Sequence, residues 1–315
     1  MDVSVIIPVY NAGPYVRQAV ESALAQPETT EVVLVEDGST DDSLVVCQAL
    51  SAQYPKVKLY HHPDGANRGA GASRNLAIEK SIAPYLAFLD ADDTFMPNRF
   101  ARAHQIFEAD ASVDGVYEAV GIQFESEAVE QRWDISRGKQ RITTMKKPVS
   151  PENLLAALAL QRGSIGKFSI IGLVIKRDLI DRTGYFDTHL RLAQDTALMI
   201  KMAAVGCLVA GDLVNPVAMR RVHETNRSSV VRPATEVFQN RMAVADTLLD
   251  WGRRHVTPQQ QRILEGYRIR IEKERPIRGQ TPTRLGRALN LVRLGLRQPR
   301  VALTPSYWWE FLPKS

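Results

Sequence analysis

Tyr85-Leu86-Ala87-Phe88-Leu89-Asp90-Ala91-Asp92-Asp93 is an apolar run that delivers three carboxylates into the four positions after it. Pro84 bounds the run behind and acids bound it ahead, as suits a short strand buried on both faces of a parallel sheet and ending at its carboxyl edge. Open α/β sheets bind ligands at that edge. Three acids at one strand end repel one another unless a cation sits among them, so the residue types point to a hard, oxygen-liking divalent ion such as Mg²⁺ or Mn²⁺. The competing reading is a polar loop capping a helix that starts near Pro97.

Working outward, the segments before this run repeat its design. Val3 to Val9 predicts a first buried strand, and Tyr10-Asn11-Ala12-Gly13-Pro14 a turn with Pro14 at the first position of a helix that reaches about Ala25 and buries Val16, Val20 and Leu24. Val32-Val33-Leu34-Val35 predicts a second strand, ending in Glu36-Asp37-Gly38-Ser39-Thr40-Asp41-Asp42 before a helix carrying Leu44, Val45 and Leu50. Lys56 to Tyr60 is a short third strand. The Gly/Asn/Asp-rich loop from His61 to Gly71 then opens into a helix holding Arg74 and Asn75. Amides at that helix start, with Arg68 or Arg74, suit a phosphate-bearing ligand. Gly69-Ala70-Gly71 is no dinucleotide fingerprint, because it follows a polar loop and not a strand. Four strands alternating with helices in about ninety residues imply a parallel, doubly wound sheet.

Beyond Asp93 the pattern predicts a helix from Pro97 to about Glu108, one strand over Gly115 to Phe124, a charged excursion over 125–150, and a helix over Asn153 to Leu160. A strand over Ile170 to Ile175, a helix from Gln194-Asp195 to Val205, and strands at Cys207 to Ala210 and Val217 to Val222 follow. From about Val230 the chain reads as helical and polar, then basic.

The 315 residues carry a net charge of +5, with 44% hydrophobic and 24% charged residues, ordinary for a globular protein. Residues 251–315 hold 14 Lys/Arg against 4 Asp/Glu, leaving 26 against 31 before them, so all the basicity is in the tail. Cys47 and Cys207 lack metal-ligand spacing and read as buried free thiols. With no apolar run of membrane-spanning length and no signal-like start, the expected compartment is the cytoplasm.

Pro8-Val9-Tyr10-Asn11, Glu36 to Asp41, Arg74-Asn75, Leu89 to Asp93, Gly184-Tyr185-Phe186-Asp187 with Gln194-Asp195, and Arg221-Val222-His223 stand in the order seen in family 2 glycosyltransferases, which these residues resemble. The likeness spans about residues 3–230. It implies an inverting enzyme of GT-A fold, a Rossmann-like, mostly parallel sheet flanked by helices, over 1–230, with 231–315 as a helical, basic extension. It further implies a nucleotide-diphosphate sugar donor, a UDP-sugar by expectation, and a hydroxyl acceptor on a glycan or lipid-linked oligosaccharide.

By the same resemblance Pro8, Tyr10 and Asn11 line the nucleoside pocket, Asp37 accepts from a uracil-like N–H, and Arg74 stands near the diphosphate or base. Asp90 and Asp92 match the Asp-x-Asp that orients ribose and metal, with Asp92 the metal ligand and Asp93 near the donor sugar. Asp195 corresponds to the catalytic base, and His223 to a histidine that reaches metal or diphosphate. Alone, Asp195 would read as a helix N-cap and His223 as a hydrogen-bonded surface residue. The family often has Glu before the base where this chain has Gln194, and commonly Asp at Glu36.

Two other classes compete. A sugar-phosphate nucleotidyltransferase would want a glycine-rich, basic loop after the first strand, which Tyr10 to Pro14 does not supply. A catalytically silent protein of the same fold would not need Asp37, Asp90, Asp92 and Asp195 together. In the tail, Arg284 to Arg297 forms a helix with Leu285, Ala288, Leu289, Val292 and Leu296 to one side, while Leu291 and Leu294 spoil a clean division. With Tyr307-Trp308-Trp309 and Phe311 it would suit peripheral contact with the inner face of a membrane; packing on the catalytic domain or a second subunit is the alternative. No nucleic-acid module accompanies the basic residues.

Overall fold

The computed structural model describes residues 1–137, 139–160, 166–224, 226 and 232–311. Its centre is a seven-stranded sheet built from β1 (Val3–Val9), β2 (Thr29–Glu36), β3 (Val57–His61), β4 (Tyr85–Phe88), β6 (Gly115–Tyr117), β9 (Leu173–Lys176) and β10 (Leu208–Ala210) in the order β10-β6-β9-β4-β1-β2-β3. A smaller sheet takes β5 (Thr94–Phe95), β7 (Val120–Phe124), β8 (Ile142–Thr143) and β11 (Ala218–Val222) in the order β5-β11-β7-β8. The continuous apolar runs of β1, β2 and β4 are buried on both faces, as parallel strands between helical layers must be. One strand breaks the pattern: β9 runs antiparallel between β4 and β6.

The helices of the first half are α1 (Gly13–Leu24), α2 (Ser43–Gln53), α3 (Ala70–Lys80) and α4 (Ala101–Ala109). In α1 the apolar stripe is Val16, Ala19, Val20 and Ala23, with Leu24 half-buried; in α2 it is Cys47 and Leu50, while Val45 points to solvent. Burial pushes the Cys47 thiol up to about 12, so it is an inert core residue; Cys207 is only half-buried. Helix α4 starts four residues later than Pro97, after a turn in which Asn98 has φ 61°.

The predicted strand over Gly115 to Phe124 is two strands in different sheets. At Glu118 the chain leaves the main sheet. This side chain and Arg99 are wholly buried, joined by a 2.9 Å ion pair, while Glu118 N–H donates to Gly172 O and Ala119 N–H to Asp212 O. The excursion over 125–150 contains a helix, α5 (Glu127–Arg137), whose Val129 and Trp133 pack on Ile122 and Val222 of the smaller sheet.

The rest is helical: α6 (Pro151–Leu160), α7 (Asp178–Thr183), α8 (Gln194–Val205), α9 (Ala234–His255), α10 (Pro258–Lys273), α11 (Arg284–Arg297), α12 (Pro299–Ala302) and α13 (Pro305–Trp309). Val244, Ala245 and Leu248 of α9 and Leu264, Tyr267 and Ile271 of α10 belong to the same apolar core as the main sheet. Among the described residues, no helix is long and apolar enough to cross a membrane.

Candidate functional site

The strand order reverses direction at β1: β2 and β3 follow to one side, β4 lies on the other, and both neighbours of β1 are parallel to it. Parallel connections that diverge from one strand leave a crevice at its carboxyl end. The residues after β1, β2 and β4 project there, into a cavity of about 910 Å³ lined by Pro8, Tyr10, Asn11, Asp37, Arg74, Asp90, Asp92, Asp93, Asp195 and His223. All ten residues singled out from the sequence thus meet in one space.

The floor is laced by side chains that mimic backbone. Asn11, held at φ 48°, accepts the Thr40 N–H at 2.8 Å, and its own N–H donates to Ser39 Oγ, tying the loops after β1 and β2 together. Glu36 folds back to accept the N–H groups of Gly38 and Ser39, so this residue shapes its own loop. Asp37 is 2% exposed and accepts the backbone N–H of Arg68 on Oδ1 and of Gly69 on Oδ2, both at 2.8 Å. A carboxylate has about four acceptor sites, so capacity remains for one further donor. Gly38 (φ 71°) meets the backbone of the loop after β3: a Cβ there would lie 2.8 Å from Gly65 O.

At the end of β4, ligand atoms of Asp90, Asp92 and Asp93 lie within 4.8 Å of one another. Each has different partners. Asp90 Oδ1 takes a 2.5 Å ion pair from Arg74, whose guanidinium also lies over the Phe186 ring. Asp92 Oδ2 stands 3.1 Å from His223 Nε2 and accepts Asn226 Nδ2–H at 3.0 Å. Asp93 is 4% exposed and sits deepest, accepting the Arg221 N–H of β11 at 2.8 Å. Burial, then the charges of Asp92 and Asp90, push its carboxyl well above the usual carboxylate range. A cluster of hard oxygen donors with too little positive charge of its own fits a hard divalent cation.

Across the cavity, α8 opens with Ala193 at φ 59° as its N-cap residue, so Asp195 lies inside the first turn and is not the cap. Its Oδ1 accepts the Thr196 N–H, and it remains partly open to the cavity. Gln194 also lines the cavity and donates to Leu190 O, its amide packed on Gly71 of α3, where a Cβ would approach to 2.8 Å. Asn75 of α3 forms a reciprocal pair with the Phe186 backbone, N–H to Oδ1 and Nδ2–H to O, both 2.9 Å.

Three participants carry no signal in the sequence pattern. Asn226 stands beside Asp92, Tyr15 lies tilted against His223 with ring centroids 4.9 Å apart, and His62, 7% exposed, bridges Ser73 Oγ and Asp37. Each serves by contact and not by spacing.

Comparison with known proteins agrees with this architecture. Residues 4–165 match the family model described as glycosyl transferase family 2. The chain is 32% identical over 206 residues to the succinoglycan biosynthesis protein ExoU of Rhizobium meliloti, a match covering 65% of this chain and 58% of that protein, less than two thirds of its length. An uncharacterized glycosyltransferase of Nostoc is 29% identical over 241 residues, 75% of this chain and 69% of that one. Among solved structures, S. aureus TarS 1-349 in complex with UDP-GlcNAc superposes with a TM-score of 0.60 at 19% identity, covering 99% of this chain and 90% of that chain. The mannosyltransferase PcManGT of Pyrobaculum calidifontis, in complex with GDP-Man and Mn²⁺, gives 0.56 at 18% identity over 98% and 82%. At these identities the structural likeness is one of fold, and it is the GT-A fold.

Proposed function

This chain belongs to glycosyl transferase family 2, and from that premise we propose that it moves a sugar from a nucleoside-diphosphate donor, UDP-linked, to a hydroxyl of a glycan or lipid-linked acceptor with inversion at the anomeric carbon. The observation that carries the reading is the meeting of the acid cluster of β4 and the α8 acid in one cavity at the sheet's switch point. TarS, whose complexes hold UDP and UDP-GlcNAc, supports the choice of nucleotide, and PcManGT, whose complex holds Mn²⁺, supports that of metal.

In this reading Pro8, Tyr10 and Asn11 hold the nucleoside, and Asp37 accepts from the base while fixing the loop that carries Arg68 and Gly69. Arg74 orients Asp90 toward the ribose, and Asp93 stands behind the donor sugar as the buried anchor of the cluster. Asp92, with His223 beside it, would hold the divalent cation, which supplies positive charge to the departing diphosphate. Asp195 takes the acceptor proton as the new bond forms, a general-base contribution of about 10² to 10⁴ in rate. One base and one displacement give inversion.

A thermal-shift panel of UDP, GDP, dTDP and CMP, each with and without Mn²⁺, tests the proposal, with Mn²⁺-dependent stabilisation by UDP expected. Asp195→Asn is expected to keep that shift and lose sugar transfer by about 10²-fold or more. An active Asp195→Asn enzyme would remove the base assignment, and a panel without any response would remove donor binding.

A further inference from the structure

Half of the exposed large apolar side chains of this protein, eight of sixteen among the described residues, fall between Leu285 and Phe311. On α11 they are ordered. Leu285 (71% exposed), Leu289 (44%), Val292 (47%) and Leu296 (78%) fall within about 60° of arc at the helical repeat, on one outward stripe. Leu291 and Leu294, which blur the pattern in sequence, point the opposite way and pack with Ile269 and Tyr307. That inner face is fastened by Asn290, which donates to Lys273 O and Arg275 O, and by an Arg287–Glu274 ion pair. The helix is thus apolar on two sides, and only one of them has a partner among the described residues.

Exposed Arg284 flanks the stripe on one side and Arg293 and Arg297 on the other. Between Glu274 and Glu310 the sequence has seven arginines and no acid. We propose that the outward face of α11 docks on an anionic phospholipid surface, the leucines entering the acyl boundary and the arginines meeting lipid phosphates. Arginine stems extend along apolar surface while their heads stay with the phosphate layer, which an amphipathic helix lying in the interface requires. Exposed Leu303 and Trp308 nearby, 83% and 60%, add side chains that partition into the same layer. A second copy is the poorer occupant, since a two-fold contact sets a patch against itself and would bring these arginines together.

The proposal stands on the tail alone and is independent of the donor reading. Its test is flotation of the full-length protein with vesicles of phosphatidylcholine alone or mixed with phosphatidylglycerol, at low and high salt. The protein is expected to float with the anionic vesicles only, less so at high salt, and Leu289→Glu/Leu296→Glu to lower the bound fraction by about tenfold or more. Both positions face solvent, so the variant is expected to fold, checked by an unchanged melting temperature and an unchanged response to UDP with Mn²⁺. Equal flotation of wild type and variant, or none of either, would overturn the proposal. So would a dimer in sedimentation that the variant dissolves, which would assign the stripe to a second copy.

Discussion

Asp93 is the acid of the β4 cluster that solvent reaches least, and its chemistry follows from that place. Above the ordinary aspartate value of about 3.9 and below its raised one, the folded protein keeps a proton there which the unfolded chain has released. Stability contributed by this group is therefore present at low pH and falls as pH rises from that value through the raised one. A cation among the three carboxylates would supply the charge that the proton otherwise provides. Mn²⁺ is accordingly expected to raise the melting temperature more at about pH 8 than at about pH 5, and Asp93→Asn to shrink the difference. Equal gains at both pH values in a calorimetric scan would deny the cluster that proton. Asp90 and Asp92 were legible because charged groups at a strand end leave a mark in the pattern, whereas Asp195 by pattern alone reads as a helix cap and is singled out through the family resemblance. Asn226 and Tyr15 were not, since a hydrogen bond or a ring contact across more than a hundred residues leaves no local trace.

At the scale of elements, the sequence betrays strands and helices wherever one period runs unbroken. β1, β2 and β4 are such runs, and so is α8. The split between β6 and β7 hides in a stretch that stays apolar but for Glu118 and Gln123, because what ends β6 is a charge partner nineteen residues earlier, Arg99. Both side chains are wholly buried, and burial drives the Arg99 guanidinium down and the Glu118 carboxyl up against their mutual attraction. Arg99→Met leaves the carboxylate without its cation and is expected to cost about 3–5 kcal/mol, read as a lower urea midpoint. A loss below about 1 kcal/mol would mean that the pair does not hold the two sheets in register. Helix α5 escaped for a related reason: only Val129 and Trp133 mark its inner face within a charged stretch.

Across the whole molecule, the basic C-terminal third is not one unit energetically. α9 and α10 bury their apolar faces in the core that holds the main sheet, whereas α11 to α13 close a separate small cluster around Leu291, Leu294 and Tyr307. Ending the chain before residue 234 is expected to give aggregated protein, while ending it after residue 280 should leave one cooperative unfolding transition by circular dichroism. Composition showed the charge of this region but not the division, which depends on which neighbour each helix meets. A last point concerns Asn75. Its amide offers Phe186 both halves of a peptide group, clamping α3, which carries Arg74, to the turn that leads into α8. The spacing between Arg74 and Asp195 is therefore braced by the scaffold itself. On the proposed function, donor and acceptor would meet across a gap whose width the folded chain itself sets.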